Sequence, residues 1–179
     1  IVCYSTFGGS GVVATELGVA LARKGYQIHF ITSGQPVRLS SFHKNIHLHQ
    51  VYVEEYPLFR YQPYELALTS KMVEVVREYH IDVIHAHYAI PHAYTAYMAK
   101  QILHKEGLEV KIITTLHGTD ITLVGNHPYY KTAVNFSINA SDAVTAVSHS
   151  LRNMTYELFD IQKHIQVIPN FINLEKKKQ

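Results

Sequence analysis

Tryptophan is absent from this 179-residue chain, and cysteine occurs once, at Cys3. One cysteine excludes an internal disulfide and fits a reducing, cytoplasmic setting. No apolar run approaches the roughly 20 residues that a membrane span requires, and no secretory leader is visible. An excess of either charge is also missing, since 16 Lys and Arg stand against 14 Asp and Glu. That balance argues against a nucleic-acid partner, which would ask for a basic footprint. The one basic run, residues 176–178, reads as a solvated end. Internal repeats and low-complexity segments are lacking too. The length suits one well-buried domain. The chain opens inside an apolar segment without Met, so its natural N-terminus is expected to lie upstream.

What is abundant is histidine and tyrosine, 13 of each. The chain is organised around residues 3–25. Residues 1–4 read as the end of a buried strand. Gly8, Gly9, Ser10 and Gly11 make a tight turn, and Val12, Val13, Leu17, Ala20 and Leu21 recur at helical spacing up to Gly25. A helix start offers free N–H groups and the positive end of the helix dipole, which suits a phosphate or carboxylate. Gly9, Gly11 and Ala14 fit only the looser G-x-G-x-x-A form of the dinucleotide fingerprint. The next strand ends in Thr32-Ser33 without the acidic residue of a ribose site, and no Walker Gly-Lys-Ser/Thr follows the glycines. An ordinary tight turn between strand and helix remains the plain alternative.

Further strands are expected over residues 27–33, 46–53, 81–87, 110–116, 142–147 and 165–168. Helices are expected over 64–79, from Pro91 to about 105, over 129–139, and from a Ser148 cap to about 159. Alternating helices and short apolar strands predict an α/β domain with a doubly wound, mainly parallel sheet covered on both faces. Ligands of such sheets bind beyond the carboxyl ends of the strands. Residues 56–64 carry Pro57, Pro63 and four aromatics, Tyr56, Phe59, Tyr61 and Tyr64. This stretch is expected to be irregular, and to pack on its own domain, on a second domain, or on a second subunit of a homo-oligomer.

Two strand ends stand out. One reads His85-Ala86-His87-Tyr88-Ala89-Ile90-Pro91-His92, where His85 and His87 share a strand face. Three histidines invite a metal, but no acidic or thiol ligand accompanies them, and no metal is expected. The Tyr88 phenol can donate to an anion. The other reads Thr114-Thr115-Leu116-His117-Gly118-Thr119-Asp120. Thr115 and His117 fall on one face beside the crevice. Asp120 can take loop N–H groups or cap a short helix, or with Thr119 merely shape the turn.

In order, Gly-Gly-Ser-Gly, His-Ala-His-Tyr-Ala-Ile-Pro-His, Thr-Thr-Leu-His-Gly-Thr-Asp, Ala-Val-Ser and Ile-Pro-Asn-Phe-Ile resemble the N-terminal half of group 1 (GT4) glycosyltransferases. The resemblance covers essentially the whole chain. It is nearest to members that act in bacillithiol biosynthesis. It implies a GT-B fold, with residues 1–170 as a Rossmann-like acceptor-binding domain and 171–179 as a linker to a C-terminal donor-binding domain. The implied reaction moves N-acetylglucosamine from UDP-GlcNAc to the hydroxyl of L-malate with retention, without a cofactor. The 179 residues are expected to be inactive alone. By the same resemblance Gly9 and Ser10 lie at the donor diphosphate, with Ser10 also at the acceptor. Tyr88, Thr115 and Arg38 bind malate, His117 contacts the donor sugar, and Asp120 orders its loop. The rival readings are a GT4 enzyme with a lipid or polyol acceptor, and a non-catalytic nucleotide- or metal-binding module. The lack of a basic amphipathic helix argues against a membrane partner.

Overall fold

Val2 joins two groups of strands into one sheet. The computed structural model describes residues 1–5, 8–39, 43–55 and 57–171. On one side of Val2, β1 (Ile28–Thr32) pairs with β2 (Ile46–Gln50). On the other, β3 (Val83–His87), β4 (Lys111–Leu116), β5 (Ala143–Ala146) and β6 (Ile165–Val167) follow in order. Val2 bridges Ile31 and Ala86, in parallel both times. Its N–H donates to the His85 carbonyl and its carbonyl accepts from His87 N, each at 2.9 Å. Every described pairing is parallel. The order β2-β1-Val2-β3-β4-β5-β6 reverses direction between the first segment and β3, which is where doubly wound sheets open a ligand crevice.

The helices are α1 (Gly9–Arg23), α2 (Tyr64–Tyr79), α3 (Tyr94–Lys105), α4 (Thr119–Thr122), α5 (Pro128–Ala140) and α6 (His149–Leu158). One sheet face carries Val2, Ile31, Ile84 and Ile112, packed under Leu68, Met72 and Val76 of α2 and Ala96, Ala99 and Leu103 of α3. The same face continues as Leu116, Val144, Ala146 and Ile165 under Ile121, Val134, Ile138 and Leu151 of α4, α5 and α6. The other face is covered over Cys3, Ile28 and Phe30 by α1. Helices thus lie on both faces, but unequally.

The face α1 buries differs from the sequence expectation. Val12, Val13, Leu17, Ala20 and Leu21 are half-buried, whereas Gly11, Ala14, Gly18 and Ala22 are buried. Close approach explains the rotation, because a Cβ on Gly18 would meet the Phe30 ring at 2.4 Å. The helix presents its small residues to the sheet and leaves the larger aliphatics at the rim. Pro91 likewise does not open α3. Ile90 is extended (φ −130°, ψ 144°), as the residue before a proline prefers, and a wide turn over Ala89–Ala93 precedes the helix. Ser148 does cap α6, its Oγ accepting from Leu151 N at 3.1 Å.

Within residues 57–64, Tyr64 packs against the core formed with α2. Leu58, Phe59 and Tyr61 are 81%, 54% and 78% exposed, so they do not bury themselves in their own domain. Tyr56 and residues 172–179, with the basic run and most of the expected linker, lie outside the described residues.

Candidate active site

Because all strands run parallel, the ends of the first segment, β3, β4 and β5 meet at one edge of the sheet. The residue types there are polar, yet most are buried. Asp120 is 1% exposed and ties two of the loops together. Its Oδ1 accepts from His117 N (3.1 Å) and Gly118 N (2.9 Å), and its Oδ2 accepts from Ala89 N (3.1 Å). Burial pushes its pKa up, and these backbone donors pull against that. The residue before α4 is Gly118, with φ 119°, a conformation that favours glycine. Asp120 therefore bonds loop N–H groups and does not cap the helix.

The β3 and β4 side chains on the α1 side of the sheet form two hydrogen-bonded chains. His85 Nε2 lies 2.7 Å from Thr115 Oγ1, which lies 2.7 Å from Thr145 Oγ1 on β5. His87 Nδ1 lies 2.9 Å from His117 Nε2. The His85 and His87 rings stack at 4.5 Å, and those of His87 and His117 at 5.1 Å. His92 Nδ1 donates to the His87 carbonyl at 2.5 Å. Burial lowers His85, His92 and His117 to about 4, and His87 well below the usual imidazole value. At neutral pH the imidazoles are uncharged, so the site works through oriented donors and acceptors.

Tyr88 closes the cluster. Its backbone sits at φ 93°, ψ 138°, unusual for a non-glycine residue. That turns the ring onto His117 (centroids 5.4 Å apart) and against Tyr4 (5.4 Å). Tyr4, on the approach to the glycine loop, also packs on His92 at 4.6 Å. Gly9 and Ser10 form the first turn of α1, and Ser10 is buried. The N-cap is Gly8, which has no side chain to offer, and no acidic residue stands in the first turn. Its amides keep the anion-binding character expected of a helix start.

The structure thus brings Tyr88, Thr115, His117 and Asp120 into one cluster, with Gly9 and Ser10 following Tyr4 at the same sheet edge. Arg38 is placed differently: its Nη1 lies 3.8 Å from the Glu16 carboxylate of α1. His85, His87 and His92 direct their bonded nitrogens to three different partners. Among the described residues no group of three or more His, Cys, Asp or Glu side chains is arranged to hold a metal.

Sequence reasoning missed Thr145, Tyr4 and Gly125. Thr145 is the one polar side chain in β5, and a polar residue on an apolar strand was the available signal. Gly125 approaches α4 so closely that a Cβ would stand 1.9 Å from the Asp120 carbonyl oxygen. Nothing local in the sequence announces that contact.

Comparison with known proteins agrees with this architecture. The chain is 54% identical over 173 residues, 97% of its length, to the N-acetyl-alpha-D-glucosaminyl L-malate synthase of Bacillus anthracis. It spans 45% of that protein's length. Its fold is similar to a glycosyltransferase from Rickettsia africae, with a TM-score of 0.68 and 20% identity over 99% of this chain and 44% of the other. It is also similar to Anabaena HepE, solved in complex with UDP, with a TM-score of 0.62 and 16% identity over 97% of this chain and 45% of that one. Their fold is the GT-B fold, and the parallel sheet here has the form of its N-terminal domain. The family model for Glycosyltransferase Family 4 matches residues 7–176, and the chain belongs to that family.

Proposed function

We propose that this chain is the acceptor-side half of a retaining, cytoplasmic glycosyltransferase that moves N-acetylglucosamine from UDP-GlcNAc to the hydroxyl of L-malate, as in bacillithiol biosynthesis. Residues 1–170 form its acceptor-binding domain, and 171–179 lead towards a donor-binding domain. The observation that carries this reading is the uncharged donor–acceptor cluster at the switch point, beside a helix start whose N-cap is a glycine. The identity to the Bacillus anthracis synthase supports the choice of sugar and acceptor.

In this reading Ser10 and the first amides of α1, at Gly9 and beyond, face the diphosphate. Negative charge grows there as the sugar's anomeric carbon separates from it, and preorganised N–H groups stabilise that charge. Thr115 and Tyr88 hold a malate carboxylate. Thr115 has one proton and two protein neighbours. If His85 Nε2–H and the Thr145 hydroxyl both donate to its oxygen, that proton is left for the ligand. His117 meets the transferring sugar, and Asp120 holds its loop against that of Ala89. Arg38 would have to leave Glu16 to reach malate. With the donor side supplied by a second domain, the 179 residues alone turn over no substrate.

The test is steady-state kinetics on the two-domain enzyme, varying malate and UDP-GlcNAc separately. Tyr88→Phe and Thr115→Val each remove one hydroxyl, and a lost bond to a charged group costs about 1.5–3 kcal/mol. The malate KM should rise about ten- to a hundredfold for each, while the UDP-GlcNAc KM changes little. A rise confined to the donor KM would refute the assigned acceptor pocket. The exposed Leu58, Phe59 and Tyr61 favour, as a second reading, a lipid acceptor for the same transfer. Turnover with malate alone, in the absence of lipid, excludes it.

A further inference from the structure

Two ring nitrogens in the cluster, His87 Nε2 and His92 Nε2, are buried and have no hydrogen-bond partner among the described residues. Each belongs to a side chain at most 1% exposed. For His92 the protonation is fixed by geometry. Its Nδ1 faces the His87 carbonyl, which only accepts, so Nδ1 carries the proton. Nε2 of the neutral ring is then a bare lone pair, and this interior tolerates an unpaired imidazole acceptor.

His87 has two arrangements open to it. If Nε2 held the proton, a buried N–H would be left with nothing to donate to, and such orphaned donors are rarer than under-used acceptors. If Nδ1 holds it, His87 leaves only a lone pair unpaired, as His92 does. Nδ1–H then points at His117 Nε2, 2.9 Å away. His117 Nε2 must accept, and a neutral imidazole that accepts at one nitrogen carries its proton on the other. His117 Nδ1 makes no hydrogen bond to the described protein and is not among the buried unpartnered nitrogens. The protonated nitrogen of His117 therefore faces outward.

We propose that His87 is a positioning residue that locks His117 in its Nδ1–H tautomer, so that the strand-end crevice offers its occupant an imidazole N–H donor. The crevice then selects an acceptor atom at that point: a sugar hydroxyl or carbonyl oxygen, a carboxylate or a phosphate oxygen. A group able only to donate is refused there. The tautomer stands on the hydrogen-bond geometry alone. Its consequence for sugar transfer rests on the function proposed above.

The experiment is nitrogen-15 NMR of the full-length protein labelled at histidine, above pH 7, with the His117 signals assigned by their loss in His117→Gln. The expected spectrum of the unmutated protein shows His117 Nδ1 protonated and Nε2 bare. The reverse pattern overturns the proposal and needs no variant to fold. In His87→Asn, whose amide nitrogen falls near the position of Nδ1, the His117 pattern should persist. In His87→Ala it should drift towards Nε2–H, and an unchanged pattern in His87→Ala would also overturn the lock. In kinetics, His87→Ala should lower kcat about tenfold or more with both KM values nearly constant, and His87→Asn should restore most of it. If the NMR pattern is as expected but the protein transfers no sugar to malate, the lock is supported and the proposed function fails.

Discussion

Thr115 and Thr145 stand directly opposite each other on β4 and β5, with their hydroxyl oxygens 2.7 Å apart. The two hydroxyls are not equivalent, because Thr115 alone also meets His85 Nε2. Thr115→Val strips a partner from both neighbours in a buried place, and leaving such groups unpaired costs about 1–3 kcal/mol each. Its urea midpoint should fall with an unchanged slope. Thr145→Val should lower the midpoint less and leave malate use nearly intact, since the Thr115 proton stays available. Equal losses of malate affinity in the two variants would show that Thr145 itself touches the acceptor.

Gly125→Ala should be among the most damaging single-methyl additions in the chain. The added Cβ would lie 1.9 Å from the Asp120 carbonyl oxygen and 2.9 Å from its carbonyl carbon, so backbone must move. Gly9→Ala is the control, with none of the described residues within 4 Å of its Cβ. Gly125→Ala should lower the unfolding midpoint by an amount equivalent to about 1–3 kcal/mol, as overpacking does. It should also depress turnover by shifting α4 and Asp120. A midpoint equal to that of Gly9→Ala would contradict the close approach.

Acid should weaken the fold between pH 6.5 and about 4. Burial holds His85, His92 and His117 near 4, against an ordinary 6.5. In that window the unfolded chain binds protons that the folded chain refuses, so stability is full above 6.5 and falls as pH drops. Below about 4 the folded form takes these three protons as well and their share of the loss levels off, while His87, held lower still, goes on weakening the fold. Each such group steepens the slope by up to about 1.4 kcal/mol per pH unit. His92→Asn, whose amide can still donate to the His87 carbonyl, should make the slope shallower by one proton. Urea midpoints measured across the window check this, and an identical slope would count against a neutral, buried His92.

Most of the scaffold was legible because apolar runs and breakers report directly on strands and helices. The helix over 64–79 was readable from Leu68, Met72 and Val76 at helical spacing, and the Ser148 cap from one hydroxyl before a helical run. The buried side of α1 was not, because it depends on how closely Phe30 lies, and Phe30 is on another element. The strand ends pointed to Tyr88, Thr115, His117 and Asp120, since parallel strands deliver their last residues to one edge. Which of them touch was hidden. The His87–His117 and His85–Thr115 pairs are 30 residues apart and depend on sheet register. Arg38 shows the same limit: the sequence offers a loop cation, and only the fold shows Glu16 beside it.

The Asp120 carboxylate draws its three donors from two loops, Ala89 after β3, and His117 and Gly118 after β4. Neither loop can come loose without leaving a buried anion short of donors. The amide protons of Ala89, His117 and Gly118 should therefore exchange with solvent as one cooperative unit, at a single free energy of opening. Whatever settles against one loop slows exchange in both, so the ends of β3 and β4 share one local order–disorder equilibrium.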